Sequence, residues 1–238
     1  MAPLFFHDGI LNAGTELDLP DDTAKHIVQV LRMQQGDAID LTDGRGVHAH
    51  AVISKVQKKQ CAVMVNDVHL HQRKQVPLHM GVAFTKNSSR NEWILEKVTE
   101  LGVTTIIPLQ TARSEREKFR YDRWHNILVA AIIQSKQYFL PELKELNSVD
   151  KLMPAFAGTE QKLVAHCMDG ALRQPISDAM QKDKETLLLI GPEGDFTDEE
   201  VKTLTSEGYI GISMGTNRLR TETAAVTACA YFNMLNHG

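Results

Sequence analysis

Five short apolar runs, each followed by a turn or polar stretch, constrain what residues 76–238 can fold into. They are VPLHMGVAF (76–84), VTTIIPLQT (103–111), QKLVAHC (161–167), TLLLIG (186–191) and YIGISMG (209–215). Runs this short and continuous suit strands covered on both faces. Strands that alternate with helices give an α/β fold with a mostly parallel sheet. Helix starts are written between them: Ser89-Arg90-Asn91-Glu92 and Thr197-Asp198-Glu199-Glu200 both read as capping boxes. The first of these predicts a helix with Ile94, Val98 and Leu101 on one face, stopped at Gly102. A long helix is expected over about 121–138. The last helix, about 221–236, is apolar nearly all round and is therefore expected to be buried or to form a dimer face.

The first 75 residues read differently. DAIDLTD (37–43) and VHAHAVISKV (47–56) alternate with period two around Asp43-Gly44-Arg45-Gly46, a hairpin signal. CAVMVNDVHL (61–70) is a further strand, and a helix over about 22–32 is expected, capped by Asp21 or Asp22. The polar stretch 71–75 and Pro77 form a linker, which divides the chain into a β-rich domain at 1–72 and an α/β domain at 76–238. Nothing approaches the roughly 18 apolar residues of a membrane helix, and the N-terminus lacks the basic start of a secretory signal. Three cysteines, Cys61, Cys167 and Cys229, are too far apart for a metal cluster and odd in number, which fits a reducing cytoplasm. The net charge of −4 is spread evenly, so RNA binding would need a local patch. Neither a membrane nor DNA is an expected partner.

Ligands of open α/β sheets sit at the carboxyl ends of the strands. Three such ends stand out: Ala165-His166, Ile190 with Gly191-Pro192-Glu193-Gly194, and Met214-Gly215-Thr216-Asn217. Gly-Pro-Glu-Gly is either a tight turn or a loop that lets backbone approach a ligand. No G-x-G-x-x-G or phosphate-binding G-x-x-x-x-G-K-[ST] is present, which removes the simplest nucleotide readings. The segment MGTNRLRTETAA (214–225) places Arg218 and Arg220 at the mouth of a helix, where positive charge opposes the macrodipole, so a functional use is expected. Thr221 reads as a helix cap. RSEREKFRYDR (113–123) is either a solvated helix start or a phosphate contact. His48/His50 and His69/His71 each share a strand face; with no cysteine or carboxylate at matching spacing they read as surface histidines, and no metal is expected. Trp93 and Trp124 read as packing residues.

Gly191-Pro192-Glu193-Gly194, Leu219-Arg220-Thr221-Glu222-Thr223-Ala224, Lys86 and the stretch Glu92 to Gly102 together resemble the RsmE family of the SPOUT superfamily. His26-x3-Val30-Leu31-Arg32 and Gly36-Asp37 extend the resemblance into that family's PUA-like β-barrel, an RNA-binding domain. The resemblance implies a deep trefoil knot, S-adenosylmethionine as cofactor, homodimerisation, and methylation of N3 of a uridine in 16S rRNA of the small ribosomal subunit. The cofactor residues it implies are Ala165, His166, Ile190, Gly191, Pro192, Glu193, Gly194, Met214, Gly215, Leu219, Arg220, Thr221, Glu222 and Thr223. N3 of uracil must lose its proton before it attacks, so a base or an anion-stabilising donor is required. Arg220 is the candidate for the anion, and Glu193 or Glu222 for the proton. Candidate RNA contacts are Arg32, Lys86, Arg90, Arg113, Arg116 and Arg218. Two positions depart from the family: Leu4 stands where an Arg is common, and Asp195 where many members have Gly. Rival readings are ribose 2′-O-methylation of tRNA or rRNA, and a non-catalytic RNA-binding ribosome assembly factor.

Overall fold

The hairpin read at 37–56 forms the middle of a five-stranded sheet in the computed structural model, which describes residues 2–57, 60–73, 76–114, 119–168 and 172–237. Its elements are β1 (Leu4–Phe6), β2 (Glu16–Asp18), α1 (Asp21–Lys25), β3 (Ala38–Thr42), β4 (Val47–Gln57) and β5 (Gln60–Leu70). The sheet order is β1-β3-β4-β5-β2. The turn between β3 and β4 works because Gly44 and Gly46 take φ of 72° and 104°, a region costly for side chains. Alternating residues Ile39, Leu41, Ala49, Ala51, Ile53, Val63 and Val65 bury one face against α1 and Ile27. Leu4 is buried in β1, paired with Asp40, so it packs as core here.

The expected helix over 22–32 is shorter and of two kinds. α1 is followed by a π-helical turn at His26–Val30, and Arg32 breaks the run at φ 55°. Neither Asp21 nor Asp22 caps it: Pro20 is the N-cap residue and both aspartates sit in the first turn, where they complement the helix dipole.

The second sheet contains β6 (Leu78–Val82), β7 (Thr105–Gln110), β8 (Glu142–Leu143), β9 (Asn147–Ser148), β10 (Gln161–Ala165), β11 (Gln174–Pro175), β12 (Thr186–Ile190) and β13 (Ile210–Ser213). Between them lie α2 (Ser88–Glu100), α3 (Tyr121–Ser135), α4 (Val149–Ala155), α5 (Ile176–Ala179), α6 (Asp198–Ser206) and α7 (Thr221–His237). The order is β11-β13-β10-β12-β6-β7-β8, with β9 also on β7, and each of these pairings is parallel. β12 is buried at all five positions, as its unbroken apolar run requires. By its contacts the chain divides into Met1–Lys74 with Val129–Leu140, and Gln75–Leu128 with Pro141–Gly238. Residues 129–140, read from sequence as part of the second domain, thus group with the first.

Two helix ends differ from expectation. α2 is capped by Asn87, whose side chain accepts from Arg90 N, while Ser89 lies inside the helix. α3 ends at Ser135 rather than 138, with Lys136 at φ 56°. The capping box at Thr197 and Glu200 is present with both of its bonds. The buried face of α7 (Ala225, Ala228, Cys229, Phe232) packs on α2, where Asn233 Nδ2 donates to Leu101 O at 2.8 Å. The apolar character of α7 is therefore largely used within this chain. No described helix is long and apolar enough to cross a membrane.

Candidate functional site

Register brings the strand ends level. Ala165 pairs with both Ile190 and Ile212, and Ile190 with Val82, so the loops after β10, β12 and β13 leave the sheet side by side. They enclose a cavity of about 270 Å³. Ala165, Ile190, Ile212, Leu219 and Ala224 supply its apolar lining, and His166, Glu193, Asn217, Arg218 and Arg220 are among its polar groups. Gly191, Pro192, Met214, Gly215 and Thr221 also line it. Of the fourteen residues the resemblance assigns to the cofactor, Gly194, Glu222 and Thr223 lie outside the lining. Cys167, Arg173, Asp195, Ile212, Ser213, Asn217, Arg218 and Ala224 join it without having been assigned to the cofactor from sequence.

Backbone and side-chain bonds hold the three loops against one another. Thr221 Oγ1 donates to Gly191 O at 3.0 Å, in a buried position. Its hydroxyl thus ties the start of α7 to the loop after β12, a different task from the helix cap read from sequence. Asp195 has φ 62°, a left-handed backbone that Gly adopts freely and Asp tolerates better than most residues. Its carboxylate is used twice, accepting from Cys167 N at 2.6 Å and from Phe196 N at 2.8 Å. The Asp195 carboxylate therefore links the β12 loop to the end of β10. Space is tight here: a Cβ on Gly191 would lie 3.0 Å from the Phe196 ring, and one on Gly211 2.6 Å from Leu172 O.

His166 is buried, its Nδ1 has no hydrogen-bond partner among the described residues, and its carbonyl accepts from Arg173 Nη1 at 3.0 Å. Burial pushes its imidazole below the ordinary histidine value; Asp195 opposes this and Arg173 adds to it. Burial thus favours its neutral form.

The arginines divide by what they touch. Arg113 Nη1 donates to Gly194 O at 2.9 Å and Phe196 O at 3.2 Å, so its guanidinium braces the loop after β12. Arg218 Nη2 reaches Glu193 O at 3.3 Å. Arg90 stands between two carboxylates, with Nε 3.5 Å from Glu222 Oε1 and Nη1 3.7 Å from Glu193 Oε1. Glu222 is the more enclosed of the pair, its side chain 13% exposed against 43% for Glu193, and its Oε2 lacks a hydrogen-bond partner among the described residues. Arg220 is exposed at the cavity and Lys86 in the loop before α2, while Arg32 lies in the first unit. Arg116 falls outside the described residues. The bracing role of Arg113 escaped sequence reading because its partners are carbonyls more than 80 positions away.

The RNA methyltransferase domain family matches residues 72–233 and the RNA methyltransferase PUA domain family residues 19–65. The chain belongs to this RNA methyltransferase family. Among relatives of this RNA methyltransferase, the Bacillus subtilis ribosomal RNA small subunit methyltransferase E is 29% identical, over 90% of this chain and 89% of that one. A probable rRNA-methyltransferase of Porphyromonas gingivalis superposes with TM-score 0.91 at 35% identity, over 98% of each chain. A methyltransferase of Legionella pneumophila, solved with bound S-adenosylmethionine, superposes with TM-score 0.89 at 30% identity, over 99% of this chain and 98% of that one.

Proposed function

We propose that this RNA methyltransferase uses S-adenosylmethionine to methylate N3 of a uridine in 16S rRNA of the small ribosomal subunit, in the cytoplasm and as a homodimer. The observation that carries the reading is the cavity at the level ends of β10, β12 and β13, framed by the Gly191-to-Gly194 and Leu219-to-Thr223 segments. Its residues suit the cofactor. Ile190, Ile212 and Leu219 offer apolar surface for a purine, Gly191 lines the cavity without a side chain, and His166 Nδ1 is a polar atom without a hydrogen bond among the described residues. The Legionella relative, which was solved with the cofactor, supports the same assignment. Ala165, His166, Ile190 to Gly194, Met214, Gly215 and Leu219 to Thr223 are the residues proposed to hold it. The deep trefoil knot belongs to this reading, and the bond from Thr221 to the β12 loop supports it.

The bound cofactor supplies an electrophilic methyl on a sulfonium, so the protein must orient the uracil and relieve N3 of its proton. Glu222 is proposed to accept that proton through Oε2, the carboxylate atom without a partner, with Arg90 holding its other oxygen. Arg220 is proposed to stabilise the resulting anion. Arg218, Arg90, Lys86 and, on the PUA-like unit, Arg32 are the proposed phosphate contacts. Arg113 hydrogen-bonds loop carbonyls at 2.9 and 3.2 Å, whereas Arg90 stands 3.5 and 3.7 Å from its two carboxylates, so Arg90 is the less tightly held and is favoured over it.

Small-subunit particles from cells lacking their own enzyme, incubated with labelled cofactor, test this through nucleoside analysis. We expect 3-methyluridine, and a fall in turnover of about 10²-fold or more in Glu222→Gln. A ribose-methylated nucleoside would overturn the target atom. Absent transfer together with absent cofactor binding would overturn the enzyme reading in favour of an assembly factor.

A further inference from the structure

We infer that Asp40, His48 and His50 on the first sheet form a binding site for a divalent transition-metal ion of the zinc type. The strands make the site. Asp40 on β3 pairs directly with His50 on β4, and His48 lies two residues along β4 on the same face. The three donor atoms lie within 4.8 Å of one another. His50 Nδ1 is 2.6 Å from Asp40 Oδ1, and His48 Nε2, which has no hydrogen bond among the described residues, is 3.4 Å from the same oxygen. An ion with bonds of about 2.0–2.2 Å needs donors roughly 3.0–3.6 Å apart, so the closest pair must open by less than about 1 Å.

Two imidazoles and one carboxylate are the donor set that first-row ions take when further positions are left open. His69, opposite His48 on β5, is the nearest further donor: its ring centre is 5.7 Å from that of His50, and its Nε2 bonds Asp67 at 2.8 Å. Tyr138 stacks on both His48 and His71, at 4.4 and 4.5 Å between ring centres, which fixes the plane of the His48 ring. Orientation of a ligating ring by its neighbours is what such sites require. His50 is half exposed, so an ion can enter from solvent. The carboxylate comes from the neighbouring strand, which is why histidine spacing alone pointed to surface residues. The inference is independent of the methyltransferase reading, because every residue it uses lies in the first unit.

The test is titration of the untagged full chain with cobalt(II), read by its visible d–d absorption, followed by competition with zinc and metal analysis after dialysis. One equivalent is expected, without a thiolate charge-transfer band, and with affinity lowered at least about tenfold in both His50→Ala and Asp40→Asn. Neither side chain is in the hydrophobic core, and circular dichroism confirms that each variant is folded; His50→Gln replaces any that is not. No saturable binding, binding unchanged in these variants, or a thiolate band that places the ion on cysteine would each overturn the site.

Discussion

Asp195 shows how a side chain can occupy a backbone that glycine adopts more freely. At φ 62° an alanine costs roughly 1–2 kcal/mol, while the aspartate offsets its own strain with bonds to Cys167 N and Phe196 N. Asp195→Ala loses both the bonds and the tolerance of that backbone, whereas Asp195→Gly loses only the bonds. We therefore expect Asp195→Ala to be the less stable of the two by about 1 kcal/mol in urea unfolding. Equal stability would show that the left-handed backbone is not retained. His166 carries a second prediction. Its folded-state imidazole is pushed below the ordinary 6.5 by burial, against the pull of Asp195 and with the push of Arg173. Its contribution is fully present above that ordinary value and is lost as pH falls below it, because the unfolded chain takes up the proton first. The melting temperature of wild type should drop more between about pH 7 and 5.5 than that of His166→Gln.

At the scale of elements, α7 is held at both ends of its buried face. Asn233 donates to Leu101 O near its C-terminus, and Thr221 donates to Gly191 O at its first residue. The second bond is the more consequential, since it joins a helix to a loop that lines the cavity. Thr221→Val keeps the shape and leaves a buried carbonyl without its donor, a loss of about 1–3 kcal/mol. Thermal unfolding measures this, and cofactor affinity should fall with it as the loop loosens. A variant of unchanged stability would mean that the carbonyl finds another partner. The helix α2 contributes differently, through Arg90, which stands in its first turn and pairs with Glu222 and Glu193.

At the scale of the whole molecule, two sheets follow two different burial rules. The first alternates along β4, so the face opposite its core carries Asp40, His48 and His50, with His50 half exposed and Tyr138 stacked on His48. The second buries β12 completely, leaving only the strand ends and their loops for chemistry. Binding groups therefore occur on a face in one unit and at an edge in the other. The alternative would place polar groups inside a sheet covered on both sides, where each unpaired group carries a desolvation cost.

Whereas β1, β2, β8, β9 and β11, two or three residues each, are too short to show a period, the sequence alone determined the eight longer strands, the parallel sheet, the hairpin at Gly44 and Gly46, and the capping box at Thr197. These depend on neighbours in the chain: alternation, glycine backbone freedom and a cap three residues from its partner. It also exposed the loop segments around Gly191 and Arg220, because strand ends are where an α/β sheet binds. Tertiary structure alone decided the rest. That Asn87 rather than Ser89 caps α2, and that a π-helical turn follows α1, depended on competition between nearly equal local choices settled by packing. The engagement of Arg113 by Gly194 O, the pairing of Arg90 with Glu222, and the approach of Asp40 to His48 and His50 all join different elements. Such contacts follow from register and chain crossing, which local sequence pattern does not encode.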